Sequence, residues 1–132
     1  MPTLVTNVLV RYLVRDDPGQ HAAAARFIDS ASATTELFVP LTVALELEWE
    51  LHSRYDVGKD AIVATLASLL ETREIVFQGE PSVERALSLF DEGPADFADC
   101  LHLALALARD SVPLITFDRK AARMPETTLL EG

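Results

Sequence analysis

Short apolar runs alternate with longer amphipathic segments along this chain. The runs have the length of buried strands; they are Leu4–Val5, Phe38–Val39, Ile75–Phe77 and Leu114–Phe117, with a weaker fifth candidate at Thr128–Leu130. Helical periodicity predicts six helices, at Val8–Val14, His21–Ala31, Thr42–Tyr55, Asp60–Glu71, Val83–Phe90 and Phe97–Ala108. Strands that alternate with helices predict a three-layer α/β fold, with a central parallel sheet of four to five strands flanked by helices.

One segment gives conflicting signals. Residues Val43–Leu51 alternate strictly between apolar and polar side chains, which is the period of a strand. The Leu, Glu and Ala content favours a helix, as does the helical spacing of Glu50 and Arg54. Thr42, which follows closely on Pro40, is of a residue type that caps helix N-termini. We therefore predict a helix here, with Thr42 at its start.

The chain has 132 residues, of which 49% are hydrophobic. That is enough for one core and too little for a second independent domain, so we expect a single domain over residues 1–132. Cys100 is the single cysteine, which excludes an internal disulfide and indicates a reducing compartment. The N-terminal stretch meets Arg11 before a signal peptide or membrane span could be completed, which favours a soluble, cytoplasmic protein with no membrane partner.

The net charge of -10 argues against a partner held mainly by bulk attraction to phosphate, because such binding needs a basic face. It does not exclude a nuclease whose contact with phosphate runs through metal ions.

Candidate chemistry lies where the predicted strands end, since ligands of an open parallel sheet bind beyond the carboxyl ends of its strands. The first strand ends in Val5–Asn7 and the fourth in Thr116–Asp118. Glu46 lies early in the third predicted helix. Asp96 and Asp99 stand at positions i and i+3 at the start of the last helix, on one face.

Each of these acids also has an ordinary structural explanation. Asp96 suits a helix N-cap, and Asp118 suits the cap of a short helix that follows it. Glu46 belongs to a run of alternating glutamates typical of a solvated face. Asp99 lies in a helix whose apolar content predicts burial, so its carboxylate needs a partner, and a metal ion would serve.

If these acids lie close together in the fold, separate structural roles no longer explain them. Crowded carboxylates repel one another unless they are protonated or bridged by a cation. Oxygen ligands without cysteine or a histidine pair suit Mg²⁺ or Mn²⁺. His102 lies one turn after Asp99 and is spaced for a hydrogen bond to it, whereas His21 and His52 have the pattern of solvated helix residues.

Four blocks in this order resemble the PIN-domain family and its VapC toxins, the ribonucleases of type II toxin-antitoxin systems; they are Thr6–Leu13, Glu46–Trp49, Asp96–His102 and Thr116–Asp118. The resemblance implies a parallel sheet flanked by helices, with an acidic pocket at the carboxyl ends of the strands. It also implies endoribonuclease activity with magnesium or manganese on an RNA substrate, and repression by a cognate antitoxin protein.

Matched residue by residue, the catalytic acidic positions of the family fall on Glu46, Asp99 and Asp118. Asp96 matches an auxiliary acid, and the resemblance gives it to the metal site together with Asp99 and Asp118. The polar residues that shape the pocket match Asn7 and Thr116.

The sequence departs from the family at position 5. The family opens on Asp-Thr-Asn, whereas this chain has Val5-Thr6-Asn7, so the first metal-ligating acid is replaced by an isosteric hydrocarbon. Val5 suits a buried strand as well as Asp does, so the fold is expected to survive and the intact metal site is not. We predict that the chain is severely impaired in RNA cleavage.

Two other functions fit the same residues. One is a catalytically inactive PIN scaffold that homodimerises and binds an antitoxin or RNA; the apolar helix Val8–Leu13 is a candidate dimer surface, with core packing as its other explanation. An acidic pocket would accept Arg or Lys of an antitoxin. The other is a receiver-like phosphotransfer domain, which is weak because Ile75–Phe77 ends in Gln78 and Gly79 in place of a phosphoacceptor Asp.

Overall fold

The computed structural model describes residues 1–132, which form two compact units, Met1–Gln78 and Gly79–Gly132. The first unit contains, in chain order, α1 (Thr6–Leu13), α2 (Pro18–Ser32), β1 (Leu37–Val39), α3 (Leu41–Ser53), α4 (Lys59–Glu71) and β2 (Ile75–Phe77). The second contains α5 (Glu80–Glu92), α6 (Phe97–Ala108), β3 (Leu114–Thr116), a short 3₁₀ helix (Ala121–Arg123) and β4 (Thr127–Leu129).

All strand pairing is parallel, as the alternation of strands and helices predicted. In the first unit β1 pairs with β2, from Leu37 opposite Ile75 to Val39 opposite Phe77, and these four side chains are buried. In the second unit β3 pairs with β4, which confirms the weak fifth run as a strand. The predicted α/β class with parallel strands is therefore confirmed, although each sheet has only two strands.

The six predicted helices are all present, including the one with conflicting signals. In α3 the buried residues follow a helical period, at Val43, Ala44, Leu47 and Leu51. The strand-like alternation of this segment is therefore overridden by the packing of a helix face.

The expected cap of α3 is wrong. Pro40 is the N-cap residue, and its extended backbone starts the helix at Leu41, so Thr42 already lies inside the first turn. The N–H of Leu41 donates to Oε1 of Gln78 at 3.0 Å. A side chain distant in sequence therefore accepts an N–H at the start of the helix, which is the role predicted for Thr42.

The first predicted strand is also wrong. Thr3 forms only an isolated parallel bridge with Phe38, and α1 begins at Thr6 with Val5 as its N-cap residue. The carbonyl of Val5 accepts the N–H groups of Val8 and Leu9, and its side chain is 50% exposed. Val5 therefore occupies a half-exposed helix start and not a buried strand.

Each unit has its own apolar interior. In the second unit α5 packs against α6, with the rings of Phe90 and Phe97 edge to face at 5.7 Å between centroids. Cys100 is buried on the same helix as Phe97. None of the helices combines the length and the apolar character needed to cross a membrane.

Candidate active site

The candidate residues fall into two groups, one in each unit. The first group joins the start of α1 to α3, where the hydroxyl of Thr6 donates to Oε1 of Glu46 at 2.7 Å. This bond links residues 40 positions apart and is charge-assisted, because its acceptor is a carboxylate. The start of α1 and the acid of α3, which the sequence predicted separately, are thus brought together.

A cavity of about 320 Å³ opens beside this pair. Its lining consists of Val5, Thr6, Asn7, Val10, Arg11, Glu46, Glu50, Arg54 and Tyr55. Val5 therefore lies at the same cavity as Glu46, and its methyl groups offer no ligand atom there. As N-cap of α1 it also makes no side-chain hydrogen bond to the helix.

Arg11 is a cavity residue to which the sequence gave no functional role. Its Nε donates to Oε1 of Gln20 at 2.6 Å, and its Nη1 donates to the hydroxyl of Tyr55 and to Asp16, both at 3.1 Å. The hydrogen bond that Arg11 donates to Tyr55 and the charge of Asp16 raise the pKa of Arg11, against partial desolvation that lowers it. Tyr55 lies 44 positions from Arg11 in the sequence, so this contact could not be predicted from a local pattern. The only sequence signal for Arg11 was that it belongs to the Thr6–Leu13 block.

The second group lies at the start of α6 and the end of β3. Asp96 is the N-cap residue of α6, and its Oδ1 accepts the N–H of Asp99 at 2.8 Å. Asp118 follows β3, where its N–H donates to the hydroxyl of Thr116 at 2.9 Å and its Oδ1 accepts the N–H of Ala121 at 2.8 Å. The predicted capping role of Asp96 is therefore confirmed. Lys120 is the N-cap residue of the 3₁₀ helix, and Asp118, two residues earlier, accepts the first N–H of that helix.

Asp99 is the electrostatically perturbed acid of this group. Its pKa is raised, first by partial burial and then by the charges of Asp96 and Asp118, while the charge of His102 opposes the shift. Asp99 is only half-buried, less than the apolar character of its helix predicted. His102 is exposed and acts through its charge, without the expected hydrogen bond.

The acidic residues of the two groups are candidate ligands for a divalent cation. The charges of Asp96 and Asp118 act on Asp99, and the ligand atoms of all three residues are the hard oxygens that Mg²⁺ and Mn²⁺ prefer. Neither unit alone gathers three or more Asp, Glu, His or Cys side chains in a group that could hold a metal ion. The donor chemistry fits such an ion, while Glu46 stands in the first unit and the three aspartates stand in the second.

The chain is similar to known proteins over nearly its whole length. The family model described as the PIN domain matches residues 3–127. The chain is also similar to a protein of Aquifex aeolicus (strain VF5) named VapC ribonuclease, with 23% identity over 124 residues. That match covers 94% of this chain and 92% of the Aquifex protein.

Proposed function

This chain belongs to the PIN-domain family, and from that membership we propose that it is a VapC-type ribonuclease toxin dependent on Mg²⁺ or Mn²⁺. Within this proposal its cleavage activity is impaired by Val5, and a cognate antitoxin protein represses it. The observation that carries the proposal is the family match across residues 3–127. The similarity to the Aquifex VapC ribonuclease over nearly the whole of both chains supports the same function.

The proposed catalytic residues are Glu46, Asp99 and Asp118, as the family pattern requires. From the resemblance we assign the metal to Asp99 and Asp118 with Asp96, although these three side chains do not by themselves form a group that could hold an ion as they stand in this structure. The pKa of Asp99 is raised first by partial burial and then by the charges of Asp96 and Asp118, and a cation would offset those charges. A bound divalent ion supplies a Lewis acid that stabilises charge on the phosphodiester oxygens. Glu46 belongs to the first unit, and Asp99 and Asp118 belong to the second. That they act together in a single domain over residues 1–132 is part of this proposal, and the family match across residues 3–127 supports it.

The protein side chains have distinct tasks in this proposal. Glu46, oriented by the hydroxyl of Thr6, positions the attacking water and accepts its proton. Asn7 and Thr116 shape the pocket, and the bond from the N–H of Asp118 to the Thr116 hydroxyl supports that task for Thr116. We place the reaction in the cytoplasm, where RNA and an antitoxin are both available.

Val5 is the reason for the proposed impairment. Magnesium needs near-octahedral oxygen ligands, so the loss of one carboxylate weakens both its affinity and its geometry. The position of Val5 on the cavity that Glu46 also lines supports a direct effect of this substitution on the site.

The test is cleavage of RNA by the parent chain, Val5→Asp and Val5→Asn, each titrated with Mn²⁺. Asn is the matched control because it caps the helix as Asp does but brings no charge. We expect Val5→Asp to raise metal-dependent cleavage by at least about tenfold, a factor that even indirect disturbance of a metal site reaches. Robust cleavage by the parent would refute the impairment, and an inert Val5→Asp variant would refute the ribonuclease.

The second candidate function is an inactive PIN scaffold that homodimerises and binds an antitoxin or RNA, and Val5 is again the observation that favours it. A small basic partner that co-purifies with the chain, together with no cleavage by Val5→Asp, would support it. The proposed dimer surface on α1 is narrow, because Leu9 and Val10 are already buried in the core of the chain. The receiver-like alternative is set aside by membership of the PIN-domain family.

A further inference from the structure

Phe117 is an exposed aromatic residue directly between two site residues, Thr116 and Asp118. Its side chain is 70% exposed, and that of Ile115, the middle residue of β3, is 53% exposed. Aromatic side chains are usually buried, and one in solvent beside polar site residues is a feature of binding surfaces.

A basic segment follows at once. Arg119, Lys120 and Arg123 are exposed, and none of them forms an ion pair. With the single carboxylate of Asp118 they give residues 118–123 a net charge of +2, in a chain whose net charge is -10. The positive net charge of this segment, next to a proposed catalytic acid, favours the binding of an anionic ligand.

The backbone of this segment is fixed. Oδ1 of Asp118 accepts the N–H of Ala121, and the carbonyl of Asp118 accepts the N–H of Ala122 at 3.0 Å. Ala121 and Met124 are buried and anchor the 3₁₀ helix. The chain that carries the cations is therefore ordered before any ligand arrives, which lowers the entropy cost of binding.

We propose that Phe117 and the basic segment Arg119–Arg123 form a contact surface for single-stranded RNA next to Asp118. An unpaired base stacks on the ring of Phe117, and the cations contact the neighbouring phosphates. This inference rests on the proposed function and deepens it, because it identifies the side chains that seat the substrate. RNA fits better than a second copy of the chain, since a twofold contact through this surface would bring two +2 segments together.

Binding of a fluorescein-labelled single-stranded RNA of mixed sequence tests the inference, with anisotropy as the readout and EDTA present so that cleavage plays no part. We expect Phe117→Leu to weaken binding by roughly 5- to 150-fold, and Phe117→Trp to retain it, since stacking needs an aromatic face. R119Q combined with K120Q should lower the salt slope of binding by about 1.4, for two lost phosphate contacts. R85Q, on an exposed position of α5, is the charge control and should leave that slope unchanged.

All these positions are exposed, so thermal melts should show that every variant folds like the parent. Equal affinity of the parent and Phe117→Leu would overturn the inference, and so would conversion of a dimer to a monomer by Phe117→Leu with no change in RNA affinity. The two proposals fail separately. Cleavage by Val5→Asp together with unaltered binding by Phe117→Leu refutes only the contact surface, whereas no binding and no cleavage by any variant refutes the ribonuclease as well.

Discussion

The hydroxyl of Thr6 and the carboxylate of Glu46 form a 2.7 Å hydrogen bond that ties the start of α1 to α3. The bond restricts the rotamers of a long acidic side chain that would otherwise move freely on an exposed helix position. Glu46 is therefore held in one orientation before any ligand binds, which is what a group that positions a reactant needs.

Thr6→Val removes this bond while keeping the shape of the side chain. We expect the free energy of unfolding to fall by about 1 kcal/mol, the usual net worth of one such bond. Urea denaturation measures the change, with Thr6→Ser as the control that keeps the hydroxyl. If Thr6→Val and Thr6→Ser are equally stable, the bond contributes nothing to the fold.

Val5→Asp and Val5→Asn should both stabilise the metal-free protein. Val5 is the N-cap residue of α1 and makes no capping hydrogen bond, and either substitution supplies an acceptor for the N–H groups of the first turn. The expected gain is about 1 kcal/mol for Asn, and it is smaller for Asp, whose charge is repelled by that of Glu46 at the same cavity when no cation is bound. Urea denaturation in EDTA measures both. A gain confined to Asp would contradict the capping explanation, because Asn caps equally well.

Asp96→Ala should destabilise α6, because the N–H of Asp99 then loses its acceptor. A cost of about 0.5–2 kcal/mol is expected, and Asp96→Asn should recover most of it because the amide oxygen still accepts. Thermal or urea denaturation of both variants is the measurement. Equal losses in Ala and Asn would mean that the charge, and not the cap, stabilises the helix.

Asp99 should make stability depend on pH. Its pKa in the folded chain is raised above the ordinary value of 3.8, so the folded protein binds a proton that the unfolded chain has released. The contribution of Asp99 is therefore full below pH 3.8 and is lost as the pH rises through the raised pKa. Urea denaturation across that window should show stability falling with pH more steeply for the parent than for Asp99→Asn.

The same shift can be divided into its causes. Asp118→Asn removes one of the two neighbouring negative charges, so it should lower the pKa of Asp99 measured by NMR titration. The pKa should still stay above 3.8, because partial burial is the largest cause and remains. A pKa of Asp99 that does not respond to Asp118→Asn would show that the two carboxylates are not coupled.

The helices were predictable from sequence because their signals are local. For α6 the predicted range and the observed range coincide at Phe97–Ala108, since the apolar period and the Asp96 cap both lie within the segment. The start of α3 was not predictable in detail. Its first N–H is satisfied by Gln78, 37 positions away, and no local pattern reveals such a partner.

The candidate site was predictable to a similar degree. The capping role of Asp96 and the hydrogen bond from the 3₁₀ helix to Asp118 both follow from positions just before a helix, and the structure shows both. Val5 was predicted at the end of a strand, whereas it is the N-cap residue of α1. A shift of one residue separates these two positions, and sequence patterns do not fix boundaries that finely. The pairing of Thr6 with Glu46 and the partners of Arg11 arise only from long-range packing, and the joint action of Glu46 with Asp99 and Asp118 stays a prediction.

Asp96 and Asp118 each commit one carboxylate oxygen to a backbone N–H of their own unit. Both residues are therefore worth keeping for folding alone, whether or not the chain cleaves anything. In a lineage that has lost its chemistry, these two acids would persist long after the selective reason for catalysis had gone. Position 5, whose side chain does no such structural work, would be the first to drift.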